Sequence, residues 1–149
     1  MKQSVYGYHY YSYDYANDDW SDATSRPSGL GDVYGSYYDS ESDIGVVLEA
    51  GGSNNDVFVY DYNSDTWTQK GDMPSSFVPK FVSYDSESDR MIYIRSTSEY
   101  DVDVYAYDYN SDTWTQKGDM PDSFTVNKFF YDSESDRIIA TEENSGSSY

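Results

Sequence analysis

Apolar and aromatic positions come in short alternating runs, each closed by a cluster of aspartate, serine or asparagine. Lys80 to Tyr84 reads as a strand, Asp85-Ser86-Glu87-Ser88-Asp89 as a tight polar turn, and Arg90-Met91-Ile92-Tyr93-Ile94 as the return strand of a hairpin. Ser96 to Asp101 reads as a loop. Val102 to Tyr107 then forms a third strand, Asn110-Ser111-Asp112 turns it, and Thr113 to Gln116 returns as a fourth. Gly118 to Ser123, carrying Pro121, is the exit loop. Earlier in the chain Val57 and Val59 share one strand face, with Phe58, Tyr60 and Tyr62 on the other. Their counterparts are Val104 and Ala106 against Tyr105, Tyr107 and Tyr109. Large groups on both faces predict strands buried on both sides, as when sheets stack face to face.

The pattern has a fixed period. Trp20, Trp67 and Trp114 recur every 47 residues, and Tyr13, Tyr60 and Tyr107 precede them at the same interval. The phrase from Tyr60 to Pro74 returns letter for letter from Tyr107 to Pro121, and Tyr13 to Trp20 is a worn copy. A second phrase, Tyr38 to Asp43, returns as Tyr84 to Asp89 and Tyr131 to Asp136. Four antiparallel strands per period of about 47 residues is the size of one propeller blade, so the expected fold is an all-β propeller arc. Residues 32–74 and 80–121 make whole blades. Residues 6–23 supply only a third and fourth strand, and 127–141 only a first and second, so the two ends together make a third blade. Three blades fall short of the usual four to eight, and two copies would give six. A closed homo-oligomer, with a dimer preferred, is therefore expected. A fragment of a longer propeller and a ring of three blades within one chain are the alternatives.

Composition sharpens the fold and narrows the partners. Nineteen tyrosines and only two leucines, Leu30 and Leu48, suit pleated, half-buried surfaces better than helices. The 28 acidic against 9 basic residues give a net charge of −19, which repels phosphate backbones and anionic membranes. Neither nucleic acid nor membrane is an expected partner; the acidity reads as keeping a tyrosine-rich surface soluble, with a high-salt habitat or divalent-cation binding as the alternatives. Without cysteine there is no disulfide, thiolate metal site or thiol nucleophile. Met1 to His9 lacks the apolar stretch of a signal peptide, and no run is long enough to span a membrane, so the sequence as given reads as soluble.

A tyrosine-aspartate pair seven residues before a tryptophan, followed by a Met-Pro exit loop, resembles the kelch repeat. The likeness covers nearly the whole chain, through phrases such as Tyr-Asp-Ser-Glu-Ser-Asp-Arg-Ile and Tyr-Asp-Tyr-Asn-Ser-Asp-Thr-Trp. The family's diglycine stands at Gly51-Gly52, while later units carry Ser98-Glu99 and Ser145-Gly146. The resemblance implies propeller blades and a role in protein interaction.

Candidate chemistry is sparse. Asp61 to Asp65 and Asp108 to Asp112 match the first half of a calcium loop, with Asp72 and Asp119 at the twelfth position, but Thr66 and Thr113 replace the glycine of its sharp turn. Hairpin turns favour aspartate, asparagine and serine on their own account, so these runs, with Asp85 to Asp89, read as structural. Trp20, Trp67 and Trp114, repeated in every unit, read as packing between blades rather than as sugar platforms. The run Tyr6, Tyr8, Tyr10, Tyr11, Tyr13 and Tyr15 reads as a strand packed on both faces. His9 is the only histidine, too few for the copper site known among kelch propellers, and nothing places it near a serine for a catalytic relay. A sialidase-type Asp box fails before Trp67, where Tyr62 takes its aspartate position and Ser64 its glycine. A glycosidase carboxylate pair has no locatable signature among so many acids. No catalytic, cofactor or metal residues are assigned. The expected function is a non-enzymatic binding or scaffolding module for protein interaction, with carbohydrate binding as the alternative and a fragment of a larger propeller enzyme behind it.

Overall fold

The computed structural model describes residues 11–22, 27, 29–49, 55–74, 79–98, 101–120 and 126–142. These form twelve strands and, among the described residues, no helix, so none is long and apolar enough to cross a membrane. β1 (Tyr11–Asp14) and β2 (Asp19–Asp22) make a two-stranded sheet. β3 (Val33–Asp39), β4 (Ile44–Glu49), β5 (Val57–Asp61) and β6 (Thr66–Gln69) make a four-stranded meander. β7 (Pro79–Asp85), β8 (Arg90–Ser98), β9 (Asp101–Asp108) and β10 (Thr113–Gln116) make a second, and β11 (Val126–Asp132) with β12 (Arg137–Glu142) a closing pair. All pairings are antiparallel.

The sheets stack as the double-sided apolar patterning requires. Ile44, Val46, Leu48, Val57 and Val59 of the first sheet bury themselves against Met91, Tyr93 and Tyr107 of the second. The far face of the second sheet, through Ile94 and Val102, packs on Val126, Phe129 and Ala140 of the last hairpin. The opposite face of the first sheet gathers Val47 and Phe58 under Leu30, beside Trp67. β5 is thus buried on both sides, with Val57, Phe58 and Val59 almost wholly shielded.

The first strands of successive units converge, β3 against β7 and β7 against β11. Each is interrupted at the same place, by register shifts between Val33 and Gly35, Pro79 and Phe81, and Val126 and Lys128. A bulge bends a strand and increases its local twist. Gly35 marks the closest approach, since a Cβ there would lie 2.6 Å from Val82 Cγ2.

Four expectations are corrected. The stretch from Ser96 to Asp101 is largely ladder: β8 runs on to Ser98 and pairs there with Asp101, because polar side chains do not prevent backbone pairing. Tyr62 and Tyr109 lie in turns past the strand ends. Of the dense tyrosine run, Tyr11, Tyr13 and Tyr15 are exposed rather than packed on both faces, while Tyr6, Tyr8 and Tyr10 lie outside the described residues. Within one chain β1–β2 and β11–β12 remain separate two-stranded sheets, so the described residues do not close a ring of three blades on themselves. His9, Gly51-Gly52, Glu99, Pro121 and Ser145-Gly146 also lie outside the described residues.

Candidate functional site

The most repeated arrangement is a turn. Tyr13, Tyr38, Tyr60, Tyr84, Tyr107 and Tyr131 each stand next to last in a strand, and each donates its hydroxyl to the aspartate five residues on, at 2.6 to 3.1 Å. The aspartate that follows each tyrosine accepts from turn amides: Asp39 Oδ1 from Glu41 N and Ser42 N at 3.0 Å, Asp61 Oδ1 from Asn63 N at 2.8 Å. This is an Asx-turn, in which a side chain replaces a backbone acceptor. The closing aspartates, Asp18, Asp43, Asp65, Asp89, Asp112 and Asp136, all hold φ between 50° and 54°. Aspartate tolerates that left-handed region better than most residues.

The two sequence phrases are therefore one device, Tyr-Asp-x-x-x-Asp, used twice per unit. Reading them as separate phrases hid a half-length repeat. The signal that reveals it is the shared spacing of tyrosine and two aspartates.

In each four-stranded sheet both turns fall at the same end and are tied together. Asn63 Nδ2 donates to Asp43 Oδ2, and Asn110 Nδ2 to Asp89 Oδ2, each at 2.7 Å. Further ties cross between sheets. Tyr84 donates to Asp39 Oδ1 at 2.8 Å, Glu87 N donates to the Tyr131 oxygen at 3.3 Å, and Gly71 N donates to Asp112 at 2.9 Å. Lys70 Nζ stands 4.2 Å from the centre of the Tyr109 ring, a cation–π contact.

This environment shifts the titrating groups. The Ser64 hydroxyl, then its amide, hold Asp61 below the usual carboxylate range, and Tyr38 followed by Asn63 does the same for Asp43. Burial, then the bond to Asp65, pushes Tyr60 up to about 12. Burial followed by Asp39 and Asp89 raises Tyr84 further. These two phenols stay neutral and donate to their carboxylates.

The repeated tryptophans meet the repeated tyrosines directly across the strands, as Tyr13–Trp20, Tyr60–Trp67 and Tyr107–Trp114. Their ring centroids lie 4.9, 4.9 and 4.6 Å apart. Trp114 packs into the core between the two sheets, and Trp67 packs beside Leu30 and Phe58. Trp20 is 63% exposed, so its expected packing role is not met within one chain.

The calcium-loop geometry does not form. Asp61 and Asp65 sit in the turn, whereas Asp72 lies beside Asp56 at the opposite end of the β5–β6 hairpin. Among the described residues no group of three or more acids or histidines gathers as a metal site. One open cleft of about 760 Å³ runs between the β1–β2 hairpin and Tyr62, lined by Tyr13, Tyr15, Asp14 and Asp19. No protein-family model matches this sequence, and no curated protein matches it.

Proposed function

We propose that this chain is a non-enzymatic scaffold of kelch-like propeller type that mediates protein interaction. The carrying observation is that the unusual polar residues recur at six places and serve the same turn each time. A catalytic centre needs a unique constellation; a repeated turn is architecture. Stacked meanders with converging first strands support the blade reading, and two whole sheets plus two hairpins amount to three blades. Two copies then complete a ring of six, in which β1 and β12 gain partners and each blade keeps only its short inner and outer edges. Sedimentation equilibrium is expected to give about twice the 17.1 kDa chain mass. A monomer at micromolar concentration counts against the ring.

Carbohydrate binding is the second reading, favoured by the cleft of exposed Tyr15 and Tyr62 beside Asp14 and Asp19. Tyrosine rings stack on sugars and carboxylates accept their hydroxyls. A glycan array separates the readings: sugar binding that is lost on Tyr15→Ala and Tyr62→Ala supports the second and displaces the first.

A further inference from the structure

The joint between the first and second sheets has a distinct inner contact. Tyr37 of β3 stacks on Tyr84 of β7 with ring centroids 5.7 Å apart, and the Tyr84 hydroxyl donates to Asp39 at 2.8 Å. Val46, the cross-strand partner of Tyr37, is wholly buried in the same joint.

The same positions stand uncovered at the two ends of the stack. Phe130 and Ile139 are cross-strand partners on β11–β12 where Tyr37 and Val46 are partners on β3–β4. They are 51% and 37% exposed. Asp132 occupies the place of Asp39, one residue past the tyrosine of its turn. At the other end Tyr38 occupies on the first sheet the place of Tyr84 on the second, and it is 57% exposed.

We propose that these are the two halves of one interface, filled by a second copy of this chain. Phe130 of one copy stacks on Tyr38 of the next, that tyrosine's hydroxyl donates to Asp132, and Ile139 packs over the cluster that Leu30 forms with Val47 and Phe58. The inference rests on the ring reading above and adds the contacts that seal the ring. A second copy fits because Phe130, Ile139 and Asp132 at one end and Tyr38 at the other hold the positions that meet in the joint the chain already makes internally.

The strand edges agree. Among the described residues β12 and β1 each pair on one side alone. Their counterparts β8 and β9 pair Met91 with Tyr107, Ile92 with Ala106 and Tyr93 with Tyr105. The same register between copies sets Ile138 opposite Tyr13, Ile139 opposite Ser12 and Ala140 opposite Tyr11. The copy whose β1 completes β12 then presents its own Tyr38 to Asp132.

The chain contains no cysteine, so an introduced pair reports without background. Ser12→Cys with Ile139→Cys places thiols at opposed ladder positions, where Cα separations of about 4.5–5.5 Å suit a disulfide. Oxidation is expected to yield a covalent species of twice 17.1 kDa. A cross-link within a single chain, or none in folded protein, overturns the second copy as occupant. The contacts are tested by affinity, with Tyr38→Phe removing the hydroxyl and Phe130→Ser installing the residue that Ser83 supplies on the second sheet. Each is expected to weaken the dimer about tenfold per joint, hence about a hundredfold in a closed pair with two joints. Both side chains are exposed in the single copy, and water replaces the surface turn bond from Tyr38 to Asp43, so the urea midpoint of the dissociated chain should change little and separate lost contact from lost folding. A dimer that neither variant weakens overturns this joint and leaves the ring standing. A wild-type monomer at micromolar concentration overturns both.

Discussion

Tyr84 sets its hydroxyl 2.8 Å from Asp39 of the neighbouring sheet and 2.8 Å from Asp89 of its own turn. One phenolic proton is shared between a local turn and a contact between sheets. Asp39 is 1% exposed, and its Oδ1 also accepts two turn amides. Turn geometry and sheet stacking therefore depend on the same atoms.

Replacing Tyr84 with phenylalanine removes the donor and leaves the buried Asp39 carboxylate with less compensation. A hydrogen bond to a charged group contributes about 1.5–3 kcal/mol, so Tyr84→Phe is expected to cost about 2–3 kcal/mol in urea unfolding. Tyr13→Phe breaks the same turn bond on an exposed hairpin, where water replaces it, and its effect should be too small to resolve. Equal losses at the two sites would show that the contact between sheets contributes nothing.

Asp112 combines three duties: φ of 53°, acceptance from the buried Tyr107 hydroxyl at 2.7 Å, and acceptance from Gly71 N. Asn tolerates the left-handed backbone and keeps an acceptor oxygen; Ala does neither. Asp112→Ala is expected to cost about 2–3 kcal/mol, from about 1 kcal/mol of backbone strain and the lost bonds, and Asp112→Asn less than about 1 kcal/mol. If the two variants unfold at the same urea concentration, the side-chain acceptor is not what the turn needs.

Strand positions, the 47-residue period and the face-to-face stacking were legible because alternation and repetition act through backbone geometry alone. The turns were legible as turns, but not as one device. Tyr-Asp-Tyr-Asn-Ser-Asp and Tyr-Asp-Ser-Glu-Ser-Asp differ at two of their three variable positions, while the shared geometry resides in one tyrosine and two aspartates. The extension of β8 to Ser98 was illegible because pairing there is backbone-driven. The exposure of Trp20 and Tyr13 was illegible for another reason: what covers a sheet face comes from elements distant in sequence, which no local pattern encodes.

The phenols predict behaviour in alkali. Burial raises Tyr93 to about 12, and burial with the Asp65 bond raises Tyr60 to about 12. A raised folded-state value means that folding favours the neutral phenol. That stability is fully present below the ordinary tyrosine value of about 10 and is lost as pH climbs through the folded values. Tyrosinate absorbance is therefore expected to rise in two phases, exposed rings first and buried rings together with loss of the sheet signal in circular dichroism. A single phase near pH 10 with the sheets intact would refute it.

Equivalent positions in the two sheets carry opposite electrostatics, which yields a prediction of opposite sign. In the second sheet Arg95 pairs with Asp103 at 3.2 Å, both side chains largely buried. In the first sheet Glu49 takes the place of Arg95 and Asp56 that of Asp103, with Asp72 beside them. Burial, then Asp72, then Glu49 push the Asp56 carboxyl above its usual range. A raised carboxyl contributes stability while protonated, and that contribution is lost as pH rises through its folded value. At neutral pH the charge therefore costs stability. Asp56→Asn keeps the acceptor for Gln69 Nε2 and removes the charge, so it is expected to stabilise by about 0.5–1 kcal/mol at pH 7 and by less as the pH falls towards about 4. Asp103→Asn leaves the Arg95 guanidinium short of its partner and is expected to destabilise by about 2–3 kcal/mol. Urea unfolding of both variants at the two pH values checks the pair. The same sign at both positions would mean that the charge reversal between the sheets has no energetic consequence.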